Sequence, residues 1–413
     1  MAHGVFLLAQ SGLLSLEHLG LAWSGGLAEL GSFEDCIFGH DAASPMTIGL
    51  TISGAKLWPH GRRKRDLLDA EFHVAYEIRA KDDPGGYVSS IRITDPTSEQ
   101  SVVIKRRRGR HLSFQVQAGS DSFVWKPSDA DYGYSRLALT LGSVLRKAAR
   151  KQGSKTRNKS ALKRLETFVM SMYIAAISQG LQRVSSARFG PRRLYERGTL
   201  LDPEVRGDAT SPLLASITPE MVDDVHVHPR KFRFRHRELD KRKIQRQLLE
   251  LNIATDLSVR EISAYHRAIF LRDSETGIAG NLIDYGYGVS QVLPVLWGLG
   301  SIGPGPLVLE QPEVHLHPSA QGHVGEYIVA ASQTRQILVE THSEHIINRA
   351  RLAVARGNLD AADVMILYVD RDKDGSRAVP IPLDSNGDFL AKWPNGFFEE
   401  RFEDTMQLAR LRK

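Results

Sequence analysis

The chain has 413 residues, 42% of them hydrophobic and 25% charged, which is core enough for a large globular α/β unit and excludes a disordered chain. Lysine and arginine outnumber aspartate and glutamate 54 to 48, and the net charge of +6 raises the odds of a polyanionic partner. A single cysteine, Cys36, excludes an internal disulfide framework and a cysteine-based zinc site, as expected of a cytoplasmic protein.

The apolar start, residues 5–9, is too short for a membrane span and lacks the basic leader of a signal peptide, so a buried helix end is expected. Alternation predicts strands over 46–53, 71–79, 87–93, 101–105 and 112–117, separated by turn signals such as Asp83-Pro-Gly-Gly86 and Arg108-Gly109. Strands punctuated in this way make an antiparallel sheet. Arg106-Arg-Arg-Gly-Arg-His111 falls in one of the hairpins, where a solvated turn and a phosphate contact are both open readings.

From residue 134 the composition turns helical and basic. Arg146, Lys147, Arg150, Lys151, Lys155, Arg157, Lys159, Lys163 and Arg164 follow one another with no acidic residue between them, around Gly153-Ser154. A helix, a basic turn and a second helix over 162–182 are expected. Neighbouring like charges repel, so a bound nucleic acid or other polyanion explains the run better than a solvated face. In Ala187-Arg-Phe-Gly-Pro-Arg-Arg-Leu-Tyr-Glu-Arg197, Arg192 and Arg193 are candidates for a phosphate, with a structural loop as the equal alternative. Within 226–237, Phe232 and Phe234 alternate with arginines; a strand there would face phenylalanine one way and charge the other, as a charge-protected edge strand also does. Residues 241–252 read as an amphipathic helix and 264–271 as a strand.

The central stretch carries the chemistry. Residues 306–309 are an apolar run without helical period, which fits a strand buried on both faces of a parallel sheet. Glu310 and Gln311 then sit at its C-terminal edge, where open α/β sheets place ligands. Pro318 suits the first position of a helix, and 319–333 is long enough to cross back over the sheet. A second strand, 336–339, ends in Glu340-Thr341-His342 and returns His342 beside Gln311. Upstream, Gly286 and Gly288 let backbone approach an anion closely at the start of a helix that carries Ser290 and Gln291 and runs through Trp297. His315 and His317 could both ligate zinc only on an extended backbone, and no third ligand lies at a suitable offset, so these side chains, like His323 and His345, are expected to pack and hydrogen-bond. After a helix over 344–356 capped by Gly357, residues 364–383 predict a β-hairpin that finishes the sheet.

Gly286-Tyr-Gly-Val-Ser-Gln-Val-Leu-Pro294, Leu307-Val-Leu-Glu-Gln-Pro-Glu-Val-His-Leu-His-Pro318 and Ile337-Leu-Val-Glu-Thr-His-Ser-Glu-His345 together resemble the head domain of ABC-type ATPases. The branch they resemble holds the SMC (structural maintenance of chromosomes) proteins and the OLD (overcoming-lysogenisation-defect) ATPases. The resemblance implies an α/β ABC-ATPase-like head: a parallel core of the P-loop NTPase type, an antiparallel β subdomain and a short basic helical insertion. It implies ATP and Mg²⁺ as cofactors. Glu310 matches the Walker B carboxylate that helps hold Mg²⁺, Gln311 stands where a glutamate polarises the attacking water, and His342 matches the switch histidine at the γ-phosphate. Gly286, Gly288, Ser290 and Gln291 match a divergent signature loop, which reads the nucleotide of the opposite subunit. The implied plan is an ATPase-head part with the β subdomain over 1–133, the insertion over 134–185, the second head part over 186–363 and a terminal hairpin and motif over 364–413. Implied partners are a second copy in a head-to-tail ATP sandwich, DNA or another nucleic acid at Arg146 to Arg157, and a separately encoded effector, in prokaryotic genome maintenance or phage defence without a membrane.

The chain departs from that pattern twice. Gln311 is an amide that can orient water but not take its proton, so slow turnover is expected unless Glu313 or Glu340 substitutes. Nowhere is there a Gly-x-x-x-x-Gly-Lys-[Ser/Thr] run to hold the phosphates. Val5-Phe-Leu-Leu-Ala-Gln-Ser11 resembles the second half of the helix after that loop, and Glu29-Leu-Gly-Ser-Phe-Glu-Asp-Cys-Ile-Phe-Gly39 the strand and loop that come next. The chain is therefore expected to begin just after the phosphate loop, and to hydrolyse ATP if a longer chain or a partner supplies it. The alternatives are a nonhydrolysing nucleic-acid-binding or scaffold subunit, and a Toprim-like nuclease using Asp370 and Asp372, against which the tight turn at Asp374-Gly375 counts. Trp393-Pro-Asn-Gly-Phe-Phe-Glu-Glu-Arg-Phe402 resembles a terminal motif of an uncharacterised subfamily of these ATPases.

Overall fold

The structure, a computed structural model, describes residues 36, 43–53, 71–80, 87–95, 100–107, 113–118, 121–125, 182–186, 188, 191–196, 241–300, 306–373, 375–394 and 400–411. The chain divides into two units, Met1–Leu181 and Gln182–Lys413. The expectations for residues 5–11 and 29–35, the arginine turn at 108–111, the basic run 146–164 with its helices, and 226–237 all lie outside the described residues.

In the first unit, β1 (Met46–Ser53), β2 (Glu71–Arg79), β3 (Tyr87–Asp95), β4 (Gln100–Arg106), β5 (Phe114–Ala118) and β6 (Asp121–Trp125) form a six-stranded sheet in sequence order, every described pair antiparallel. The two-residue period places Ile93 opposite Val102 and Ile104 opposite both Ile91 and Val116, and all of these are buried. Five strands fall where alternation put them. The sixth, Asp121–Trp125, carries no clear signal because it opens on Asp121-Ser122, residues poor in strand propensity.

The second unit contains α1 (Lys241–Glu250), α2 (Tyr287–Gly300), α3 (Pro318–Ser332), α4 (Glu344–Ala355) and α5 (Glu400–Leu411). Its parallel sheet has the order β13 (Ile337–Glu340), β12 (Leu307–Glu310), β7 (Gln182–Val184). Gln182, expected to end a helix, is the first residue of β7. β12 is buried throughout, as its unbroken apolar run requires of a strand covered on both faces. The core joins Ile244 and Leu248 of α1, Val292, Leu296 and Leu299 of α2, Leu307 and Leu309 of β12, and Val324 and Ile328 of α3. Beside it, β10 (His266–Asp273) pairs antiparallel with β8 (Tyr195–Glu196), β9 (Ala254–Glu261) and β11 (Ala279–Asn281). Helix α2 continues through Pro294, which forfeits the bond that an amide there would give to Ser290.

One expectation is corrected. β14 (Leu367–Asp372) and β15 (Gly375–Pro380) form a two-stranded sheet of their own and do not extend the parallel sheet. A tight turn lets β14 satisfy its backbone on β15 directly, with no crossover back to the parallel sheet. The segment that follows docks on α4: Arg351 donates from Nε to Gly387 O at 2.7 Å, and its guanidinium lies 4.2 Å from the Phe389 ring centroid. Gly387 has φ +76°, and a Cβ there would stand 2.4 Å from Arg351 O. Gly387→Ala is expected to cost about 2–3 kcal/mol through strain and overpacking together, read as a lower urea midpoint and faster proteolysis within 381–394. An unchanged midpoint would place this contact outside the solution structure.

Candidate functional site

Parallel pairing sets the site. The register runs from Leu307 opposite Ile337 to Glu310 opposite Glu340, so both strands end at one level. The Gln311 amide donates to Glu340 O at 2.7 Å, which ties the residue after β12 to the end of β13. Gln311 then adopts φ 43° and His315 φ 63°, left-handed values that fold the chain back in a tight turn. That turn brings Glu313 Oε1 to the backbone N–H of His342 at 2.7 Å. Glu313 Oε2 is buried and has no partner among the described residues. Ser343 caps α4, accepting from the Ile346 amide and donating to Gln321 Oε1 at 2.7 Å. Gln311, Glu313 and His342 are thus brought to one edge, with the His342 side chain exposed, while the Glu310 side chain turns to the other side of β12.

Glu310 is 5% exposed and its carboxylate is turned to the β7 side. Arg183 grips it as a fork, Nε to Oε1 at 2.8 Å and Nη2 to Oε2 at 2.8 Å. Oε2 also faces the Ser186 amide at 3.3 Å and Ser185 Oγ at 3.5 Å. A carboxylate has about four lone-pair positions, and these donors occupy most of them. Among the described residues no group of three or more His, Cys, Asp or Glu could hold a metal ion. Glu310 in this arrangement is spent on an arginine, so these residues do not fit a divalent cation at Glu310.

A second arginine was not foreseen. Arg188 is buried and donates from Nη2 to Glu310 O at 2.8 Å and Gln311 O at 2.7 Å, from Nη1 to Gln291 O at 3.1 Å, and from Nε to Ser185 O at 2.9 Å. Burial pulls its pKa down to about 10, against the raising influence of Glu313 and then Glu310, so the guanidinium stays charged at neutral pH. Its signal was present in Ala187-Arg-Phe-Gly-Pro191, but the search for phosphate ligands favoured the exposed Arg192 and Arg193. Arg193 instead pairs with Asp284 at 2.7 Å on the surface.

The signature-like stretch divides in two. Ser290 and Gln291 lie inside α2 at 3% and 2% exposure, and Ser290 Oγ donates to Tyr287 O at 2.7 Å. In this arrangement neither side chain is presented at the surface. What the helix end presents is Gly286 and Tyr287, with Gly288 partly covered. Gly288 packs on the His315 carbonyl, and Tyr287 meets the His315 ring edge-on at 4.9 Å between centroids.

His317 and His323 make local hydrogen bonds. His317 caps α3 with its side chain accepting from the Ser319 amide, and His323 Nδ1 lies 3.0 Å from Ser319 O. Asp370 of the nuclease alternative is bonded to the Arg371 amide and to Arg377 Nη2 at 3.2 Å on the β14–β15 hairpin. Arg146, Lys147, Arg150, Lys151, Lys155 and Arg157 lie outside the described residues. No described helix is long and apolar enough to cross a membrane.

Residues 203–348 match the family model described as "AAA domain, putative AbiEii toxin, Type IV TA system", and residues 359–408 match a model for proteins of unknown function designated DUF3696. The first match contains α2, β12, β13 and every residue of the strand-end site except Arg183, Ser185, Ser186 and Arg188. Among solved structures, the chain is similar to the Smc head domain from Pyrococcus furiosus bound to the C-terminal domain of ScpA, with 10% identity, 100% of this chain and 90% of that chain covered, and a TM-score of 0.34. A likeness to the SMC head domain from Thermotoga maritima has 11% identity, 80% and 84% coverage and a TM-score of 0.28. No curated protein matches the sequence. The parallel sheet flanked by α2 and α3 gives the expected α/β class, and the AAA-domain model matches the stretch that carries it.

Proposed function

We propose that the chain is an ATP-binding, slowly hydrolysing head of the SMC/OLD-like kind, acting as a nucleotide-controlled subunit near DNA, with a second copy and a separately encoded effector. The observation that carries this reading is the alignment of the β12 and β13 ends, which places Gln311, Glu313 and His342 around one edge through the Gln311–Glu340 and Glu313–His342 bonds. In the proposed cycle the exposed His342 side chain meets the terminal phosphate. Gln311 orients the attacking water, and Glu313, whose buried Oε2 accepts no bond among the described residues, takes its proton once the bound nucleotide opens the turn to water. The exposed end of α2 at Gly286 to Gly288 faces the nucleotide of the second copy. Magnesium is assigned no ligand in this chain and enters only as the counter-ion of the triphosphate.

Single-turnover hydrolysis tests the division of labour. Glu313→Gln is expected to slow it by about 100-fold or more with ATP affinity within about threefold, the signature of a lost base. Gln311→Glu is expected to raise turnover by about tenfold or more. A Glu313→Gln variant that turns over like the unmodified chain contradicts the assignment.

The second reading, a nonhydrolysing nucleic-acid-binding or scaffold subunit, is favoured by two observations: the 413 residues contain no Gly-x-x-x-x-Gly-Lys-[Ser/Thr] run, and Glu310 is committed to Arg183. It is separated from the first by ATP binding alone.

A further inference from the structure

We infer that Arg188 is the positioning residue that holds the end of β12 and the start of α2 as one body, so that the nucleotide edge and the edge offered to a second copy move together. The inference rests on the ATP reading for its purpose but not for its geometry.

Three stretches distant in sequence are all bonded by this guanidinium. Arg188 reaches the turn after β7 at Ser185 O, both carbonyls at the end of β12, and Gln291 O inside α2. Arg188 itself is buried, so its N–H groups need acceptors, and these carbonyls supply them; an unsatisfied buried donor costs more than an ordinary bond contributes. The fork explains which residue is needed. Lysine has one nitrogen on a flexible stem and cannot span carbonyls belonging to three segments, whereas the planar guanidinium presents five N–H groups in fixed directions.

The consequence for the site is specific. Gln311 holds φ 43° without a glycine's freedom, a conformation that persists only when its surroundings over-determine it. Its carbonyl accepts from Arg188 Nη2 at 2.7 Å and from the Val314 amide at 3.2 Å, and its amide donates to Glu340 O, so both sides of the strained residue are clamped. Loss of the shorter, charged bond from Arg188 leaves the Gln311 carbonyl on the Val314 amide, a weaker hold, and the turn that aims Glu313 at His342 loosens with it. The same release uncouples Gln291, one turn inside the helix whose exposed end is Gly286 to Gly288. Arg183 acts on a different group, the Glu310 side chain.

The test uses the full chain with Arg188→Lys and Arg188→Ala, compared by hydrogen exchange and by binding and hydrolysis of ATP with Mg²⁺. In Arg188→Ala, exchange within 286–296 and 307–316 is expected to quicken by about tenfold or more, with 71–79 and 87–95 unchanged. Arg188→Lys, which keeps the charge, is expected to rescue folding but only part of that protection. Hydrolysis is expected to fall by about tenfold while ATP affinity stays within about threefold, a split that general loosening of the fold does not produce. Should the unmodified chain bind no ATP, the function proposed above fails and exchange alone decides the role of Arg188. Equal protection of 286–296 and 307–316 in all three proteins, or uniform loosening across both units, overturns the inference.

Discussion

Glu310→Gln is expected to destabilise the second unit by about 3 kcal/mol, a larger loss than any exposed ion pair could cause. The reason lies in Arg183. Its side chain is 18% exposed and that of Glu310 6%, and a fork this deep cannot lose one charge without stranding the other. Glutamine can still accept from Nε or Nη2, but it leaves the cation without a counter-charge in a poorly solvated place. A carboxylate kept only to hold a metal would behave otherwise: its amide variant would fold as well as the parent and lose hydrolysis alone. The double variant Arg183→Met with Glu310→Leu separates the two, since replacing both charges by apolar groups of similar size is expected to recover stability to within about 1 kcal/mol. Urea unfolding of the second unit, followed by midpoint at constant slope, reads both quantities. A Glu310→Gln midpoint equal to that of the parent would mean that Arg183 is not on the carboxylate in solution.

Gly288→Ala is expected to cost about 2 kcal/mol net, although alanine is the better helix former by about 1 kcal/mol. A Cβ at 288 stands 2.4 Å from His315 O and 3.3 Å from His315 C. Neither atom can yield cheaply, because His315 is already held at φ 63° in the turn after β12. Pushing that turn away from α2 also shifts Glu313, two residues earlier. Hydrolysis is therefore expected to fall together with stability. Gly286 is the control, since a Cβ there meets nothing within 4 Å and Gly286→Ala is expected to be close to neutral. Equal stability of the two alanine variants would remove the contact between the helix start and the turn.

These two sites show what the sequence disclosed and what it hid. The apolar runs at β12 and β13, the proline at the start of α3 and the spacing from Gln311 to His342 disclosed a strand–helix–strand unit, because burial on both faces and a crossover length leave few alternatives. Gly288 was singled out as a place of close backbone approach. What it approaches is another backbone, the His315 carbonyl, and the sequence could not say so. The two arginines were hidden for a different reason. Arg183 and Arg188 act across 127 and 122 positions of chain, and a contact of that range has no period or spacing to betray it. The hydroxyl of Ser290, near a glycine-rich helix start, suggested an anion site, and the sequence did not show that helical geometry turns it back onto Tyr287 O. The separate β14–β15 sheet was equally illegible: a hairpin signal fixes the pairing of its own strands and says nothing of which sheet they join.

Glutamine at 311 sharpens the account. An SMC/OLD-like head that keeps its strand-end geometry but moves the proton acceptor to Glu313 would trade turnover for a long-lived bound state. Such a head suits a switch that waits on a second copy or an effector better than a motor.

Equilibrium binding of labelled ATP with Mg²⁺ to the full chain tests the central claim most directly. The account predicts saturable binding that unlabelled ATP displaces and that His342→Ala weakens by about tenfold, at unchanged stability. No saturable binding up to about 1 mM, with the chain shown to be folded, would contradict it.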